Sequence, residues 1–180
     1  MTNAVDRMAA HHEAGHAVAF LVLGLSFEKV RLDRDGLGGG TVISSAEHKR
    51  MRLRAFHRIE PDHDRVRRDI VGVIAGPAAQ DRFNQIYCRF KRRRDPVYDP
   101  ACQDDWELAW LEAITLVAAD ALVDVVEDDV KYAEATAIMH ECGTRADTLV
   151  ADHWSSIRAV AGALLERGPL THAEVREIVQ

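Results

Sequence analysis

Cysteine is scarce in this sequence: Cys88, Cys102 and Cys142 are the only three among 180 residues, and no two of them form a CxxC pair. An odd, widely spaced set suggests neither a disulfide framework nor a thiolate zinc site, so a reducing compartment is expected. Basic residues are also short, 23 Lys and Arg against 29 Asp and Glu, for a formal charge of -6. Gripping phosphate backbones requires the opposite balance, which argues against a nucleic-acid partner. Long apolar runs are missing too. The longest, AVAFLVLGL at residues 17–25, is about half of the roughly 20 residues that a membrane-crossing helix needs, and no basic segment with a cleavage site precedes it. The chain therefore reads as soluble and cytoplasmic, without a membrane partner. No repeat or low-complexity tract occurs, and 180 residues suffice for one core, so a single domain over residues 1–180 is expected.

What is present is mostly helical patterning. Val5, Met8, Ala9, Ala19, Phe20 and Leu23 recur at three- and four-residue steps and define one buried helical stripe, on which His12 and His16 also fall. After Gly24 the segment FEKVRLD mixes Phe27, Val30 and Leu32 with charge, DGLGGG turns the chain, and TVIS follows, so a β-hairpin or small ribbon is expected. Residues 44–61 read as a loop or short helix ending before Pro61. A helix is expected from Asp64 to about Tyr87 with Val66, Ile70, Val73, Ile74 and Ile86 facing inward. Pro77 within it lacks an N–H and crowds the carbonyl of Val73, which predicts a kink or a break. RFKRRRDPVYDPA, residues 89–101, has two prolines, a charge run and no period, and reads as a loop. Beyond it, helices are expected from Asp104 to about Ala119, on through roughly His140 to an end near Gly143, and from Asp147 to Arg167. Gly168 and Pro169 stop the last of these, and Thr171 with Glu174 has the spacing of a capping box opening a short final helix. The fold class is mainly α with one small sheet.

One stretch lacks a packing rationale. AAHHEAGHAVAF, residues 9–20, sets three histidines and a glutamate in an apolar segment, and His12, Glu13 and His16 spell HExxH. Residues four apart on a helix share a face, so two imidazoles can address one ion at about 2.0–2.1 Å each. Glu13 is rotated one step from that face, where it can reach a water bound to the ion and act as general base. The chemistry that follows is hydrolysis: Glu13 activates a zinc-bound water for attack on a peptide carbonyl and later returns the proton to the leaving amine. As mere core residues, two unpaired rings would cost a few kcal/mol, which favours the metal reading. His11 is turned about 100° away and reads as a surface histidine beside the cleft. His48, His57, His63, His140, His153 and His172 have no partner spacing and read as solvated or hydrogen-bonded.

These residues resemble a known family. HHEAGHAVAFLV is similar to the zinc motif of the FtsH family of ATP-dependent metalloproteases, HEAGHA followed by apolar residues, and Ala14 and Gly15 match as well. Weaker likenesses follow in the same order: GGGTVIS to the family's edge strand, IAGPAAQDRF to its AGRAAE-like helix, CQDDWELA to its helix beginning Asn-Asp, and AGALLERGPLTHAEVREIV to its C-terminal helices. The likeness spans about residue 4 to the end. It implies a helical FtsH-type protease domain, a zinc metalloendopeptidase acting on peptides or unfolded proteins, and zinc as cofactor.

It also implies Asp105 as third ligand, the Asp of the family's Asn-Asp pair. Asp104 stands where the family has Asn and stays open as an alternative, as does Glu107. Both aspartates fall in a first helical turn, where the dipole favours a carboxylate and where capping is the competing role. Cys102 reads as a small buried residue before it reads as a ligand. The sequence departs from the family in lacking a GxxxxGK[ST] loop and membrane segments, so ATP-driven unfolding is not expected of this chain. A separate ATPase or unfoldase is then the partner that would deliver folded substrates, and a homo-oligomer follows by analogy with the family's rings. Pro77 replaces a residue usually charged, and KRRRDP has no counterpart; it reads as a solvated connection or as a selector of acidic substrates. GGGTVIS reads equally as a plain hairpin and as an edge that adds a peptide as a further strand. The alternative function is a non-catalytic regulatory or partner-binding module retaining the zinc, against which Glu13 argues, because a structural site has no use for that carboxylate. A helical interaction protein without metal is the third.

Overall fold

The molecule is described by a computed structural model over residues 4–32, 39–42, 62–88, 102–118 and 128–180. Among these residues the chain forms α1 (Ala4–Val22), β1 (Lys29–Leu32), β2 (Gly39–Val42), α2 (His63–Phe83) continued by a π-helical turn (Asn84–Cys88), α3 (Gln103–Val117), α4 (Asp129–Asp152), α5 (Trp154–Arg167), β3 (Leu170–Thr171) and α6 (His172–Val179). The class is mainly α, as the patterning predicts. No helix among the described residues is long and apolar enough to cross a membrane.

The first helix is not a one-sided amphipathic element. Ala10 through Phe20 are buried without interruption, whereas Val5, assigned to the inner stripe, is exposed. A helix apolar all round is a buried one, and α1 is the central post of the fold. Its small residues let neighbours close in. A Cβ added to Gly15 would stand 2.5 Å from the carbonyl oxygen of Ala75 and 2.6 Å from Ala79 Cβ, so α2 crosses α1 almost backbone to backbone. On another side α5 supplies Ile157, Val160, Ala161 and Leu164 to the core around Ala14 and Val18.

The second helix begins at Asp62, whose carboxylate accepts from Arg65 N–H at 3.1 Å. It runs unbroken through Pro77 to Phe83, so of the kink or break expected at the proline the break does not occur. The residues around Pro77, from Val71 to Gly76 and then Ala79 and Gln80, are all buried, and that packing offsets the lost hydrogen bond. The π-helical turn then carries the helical segment through Tyr87 to Cys88, close to the expected end, but leaves Ile86 exposed where an inward side chain is expected.

The fourth helix runs straight through Gly143, where the sequence predicts an end. Cys142 and Ala146 are fully buried in one cluster with Val66, Ile70 and Val73 of α2, and a helical glycine costs only about 1 kcal/mol against that. The boundary lies at His153 instead. Asp128 caps α4 through the N–H groups of Val130 and Lys131, at 3.0 and 3.2 Å. Gly168, at φ 87°, ends α5 in a conformation open to glycine. The capping box is present, with Thr171 N–H donating to Glu174 Oε2 at 2.7 Å and Glu174 N–H donating to Thr171 Oγ1.

The expected hairpin forms as β1 and β2, antiparallel, with Val30 opposite Thr41. A third strand joins it: β3 pairs with the other edge of β1, Val30 opposite Leu170, giving the order β2-β1-β3. At two residues β3 is too short for alternation to reveal. The hairpin turn, the end of TVIS, the segment 44–61 and the loop 89–101 lie outside the described residues.

Candidate metal centre

His12 and His16 stand one turn apart on α1, and α3 brings its first turn against them. Asp105 Oδ2 lies 3.0 Å from His12 Nε2, Asp105 Oδ1 lies 3.4 Å from His16 Nε2, and the two Nε2 atoms are 3.1 Å apart. Two ligands about 2.0–2.1 Å from a tetrahedral zinc are themselves about 3.3 Å apart. Each imidazole faces a different oxygen of the one carboxylate at close to that spacing, and with one ligand atom taken from each residue the three lie within 4.8 Å of one another. The donor set, two imidazole nitrogens and one carboxylate oxygen, could hold a metal ion. Without a cation, three groups with lone pairs would crowd together and need protons to hold them there.

The far side of each ring is fixed by α2. His16 Nδ1–H donates to the Gly72 carbonyl at 3.0 Å, and His12 Nδ1 lies 3.1 Å from Gln80 Oε1. Between these acceptors sits Gly76, and a Cβ there would overlap Nε2, Cε1 and Cδ2 of His16. The absent side chain is the seat of the ring. Gly72, Gly76 and Gln80 recur every four residues on one face of α2. The sequence reading passes over all three, although the lone polar Gln80 in IAGPAAQ is a visible signal.

Charge in the site is strongly coupled. Burial opposes a charged His16, but the Asp105 carboxylate beside it, with Glu13 and the Gly72 carbonyl, outweighs burial and raises its pKa to about 9. Burial likewise opposes the Asp105 carboxylate, yet His16 and His12 hold it well below the usual carboxylate range. Glu13 is only 4% exposed and lies near enough for its charge to act on His16.

The remaining candidates separate cleanly. Asp104 and Glu107 are exposed, and Glu107 accepts instead from Gln103 at 2.7 Å. Cys102 is buried at the start of α3, its Sγ 3.8 Å from His12 Nδ1, the ring nitrogen that does not face Asp105 and His16. His11 corrects the expectation of a surface histidine: it is 6% exposed, its ring centroid 4.4 Å from that of Phe83 and 5.4 Å from that of Trp154, and Nδ1–H donates to Arg7 O. Burial lowers its pKa, so it sits there as a neutral, packed ring. His63 and His140 are exposed; His48 and His57 lie outside the described residues. No model of a known protein family matches this chain, and no curated protein matches it either.

Proposed function

We propose that this chain is a zinc-dependent metallopeptidase of FtsH type, hydrolysing peptide bonds in peptides or unfolded proteins. The observation that carries the reading is the arrival of Asp105, from the first turn of α3, at 3.0 and 3.4 Å from the two HExxH imidazoles. His12, His16 and Asp105 would hold the ion. Zinc held there would supply Lewis acidity, polarising a carbonyl and making water more acidic. Glu13 takes the proton from the attacking water as the new carbon–oxygen bond forms, and gives it to the amine as the carbon–nitrogen bond breaks, so the group ends as it began. The near-complete burial of Glu13 excludes competing solvent from that transfer.

The family likeness is part of this proposal, as are the cytoplasmic setting, the homo-oligomer and the separate ATPase that would deliver folded substrates. A sequence without a GxxxxGK[ST] loop has no phosphate cradle of that kind for unfolding them itself. The test is cleavage of a quenched fluorescent unfolded protein by wild type and Glu13→Gln, with and without chelator. Cleavage should stop with chelator, return with zinc, and fall by about 10²–10⁴-fold in the variant while zinc stays bound. Activity indifferent to the substitution would remove the proposed mechanism.

A further inference from the structure

His12 uses one ring nitrogen at the centre, so what holds the other decides how the ring stands. Its Nε2 is the atom facing Asp105 and His16, while Nδ1 faces Gln80 Oε1 at 3.1 Å. A neutral imidazole carries one N–H and one lone pair, and only the tautomer protonated on Nδ1 offers a lone pair at Nε2. An amide oxygen accepts and cannot donate, so a ring nitrogen set against it is favoured in its N–H form. Gln80 is 4% exposed, so bulk water does not compete for that proton.

The two histidines are held by acceptors of different kinds. For His16 the acceptor is the Gly72 carbonyl, backbone that any residue at that position would provide. For His12 it is a side chain. Cys102 Sγ, 3.8 Å from the same Nδ1, is a longer and weaker acceptor that cannot take its place.

We propose that Gln80 is a positioning residue of the metal centre, holding His12 as the Nδ1–H tautomer and so aiming its Nε2 lone pair at the ion. The inference rests on the metal-centre reading above. Gln80→Met keeps the length and volume of the side chain and removes the acceptor, whereas Gln80→Glu keeps an acceptor and adds charge. Zinc affinity, from competition with a chromophoric chelator, should fall about 10–100-fold in Gln80→Met and remain at or above the wild-type level in Gln80→Glu. Nitrogen-15 NMR of the histidine rings in the zinc-loaded proteins should show the Nδ1–H signature for His12 in wild type and Gln80→Glu, and its weakening in Gln80→Met. Melting curves of the metal-free proteins verify that all three fold. If wild type binds zinc and Gln80→Met matches it in affinity and in His12 signature, the positioning role is wrong and the metal centre stands. The role is equally wrong if Gln80→Glu loses as much affinity as Gln80→Met, since that would mean the amide serves packing alone. If wild type binds no zinc, the metal centre falls first and this role with it.

Discussion

Gly76→Ala adds one methyl group where the His16 imidazole already lies. The new Cβ would overlap three ring atoms of His16, and the ring has little room to yield. Its Nδ1 is tied to the Gly72 carbonyl at 3.0 Å, one turn earlier on the same helix, and its Nε2 is enclosed by His12 and Asp105. Two outcomes remain. If the helices move apart to keep the ring in place, the cost is that of overpacking, about 1–3 kcal/mol. At about 2–4 °C per kcal/mol for a chain of this size, the metal-free melting temperature falls by roughly 2–12 °C. If the ring swings out, a hydrogen bond worth about 1 kcal/mol is lost, and so is a ligand. Zinc affinity should then drop by more than the roughly 10–100-fold that follows loss of a ligand's supporting group. The control is Gly162→Ala on α5, where a Cβ meets nothing within 4 Å. It should leave zinc binding untouched and stabilise the helix by up to about 1 kcal/mol. Calorimetry and chelator competition on both variants decide the matter. A Gly76→Ala protein with wild-type melting and wild-type zinc affinity would refute the claim that this glycine seats the ligand.

Asp105→Asn should abolish tight zinc binding while Asp104→Asn leaves it within about threefold, since only the first faces the imidazoles; the reverse order in a zinc titration would move the ligand to the neighbouring position. In the metal-free protein His16, raised to about 9, is charged at neutral pH, and zinc must displace that proton. Apparent affinity should therefore rise about tenfold per pH unit between about pH 7 and 9 and then level off, with proton release seen by calorimetry in buffers of different ionisation heat. For metal-free stability, the raised pKa of His16 stabilises fully below its ordinary value of 6.5, and this is lost as pH rises through about 9. The lowered pKa of Asp105 stabilises above its ordinary value of 3.8, and this is lost as pH falls toward its depressed folded value. Melts of chelator-treated protein should accordingly weaken on both sides of a mildly acidic optimum, whereas a flat profile would contradict the coupled pair. Thr171→Ala removes the capping hydroxyl of α6 and should cost about 1 kcal/mol in denaturant unfolding without altering zinc binding.

The legible part of the site is the part written in local spacing. His12 and His16 are a helical turn apart whatever surrounds them, so their shared face follows from α1 alone. Asp105 needs more: whether 104 or 105 turns inward depends on one residue's rotation of α3 against α1, which only the packed helices decide. His11 reads as exposed from sequence because its own helix places it off the His12 face; Phe83 and Trp154, from two other helices, bury it. Gly143 and Pro77 carry real local penalties, and both are outweighed by burial of neighbours such as Cys142, Ala146 and Ala75. Gln80 and Gly76 matter only through their contacts with His12 and His16, whose partners lie more than fifty positions away in the chain.

The central claim is that one ion is held by His12, His16 and Asp105, and zinc-edge X-ray absorption on the purified, zinc-loaded protein addresses it directly. The account predicts one zinc per chain with imidazole nitrogen and carboxylate oxygen neighbours at about 2.0–2.2 Å and no sulfur shell. A sulfur shell at about 2.3 Å, or protein that takes up no zinc, would contradict it.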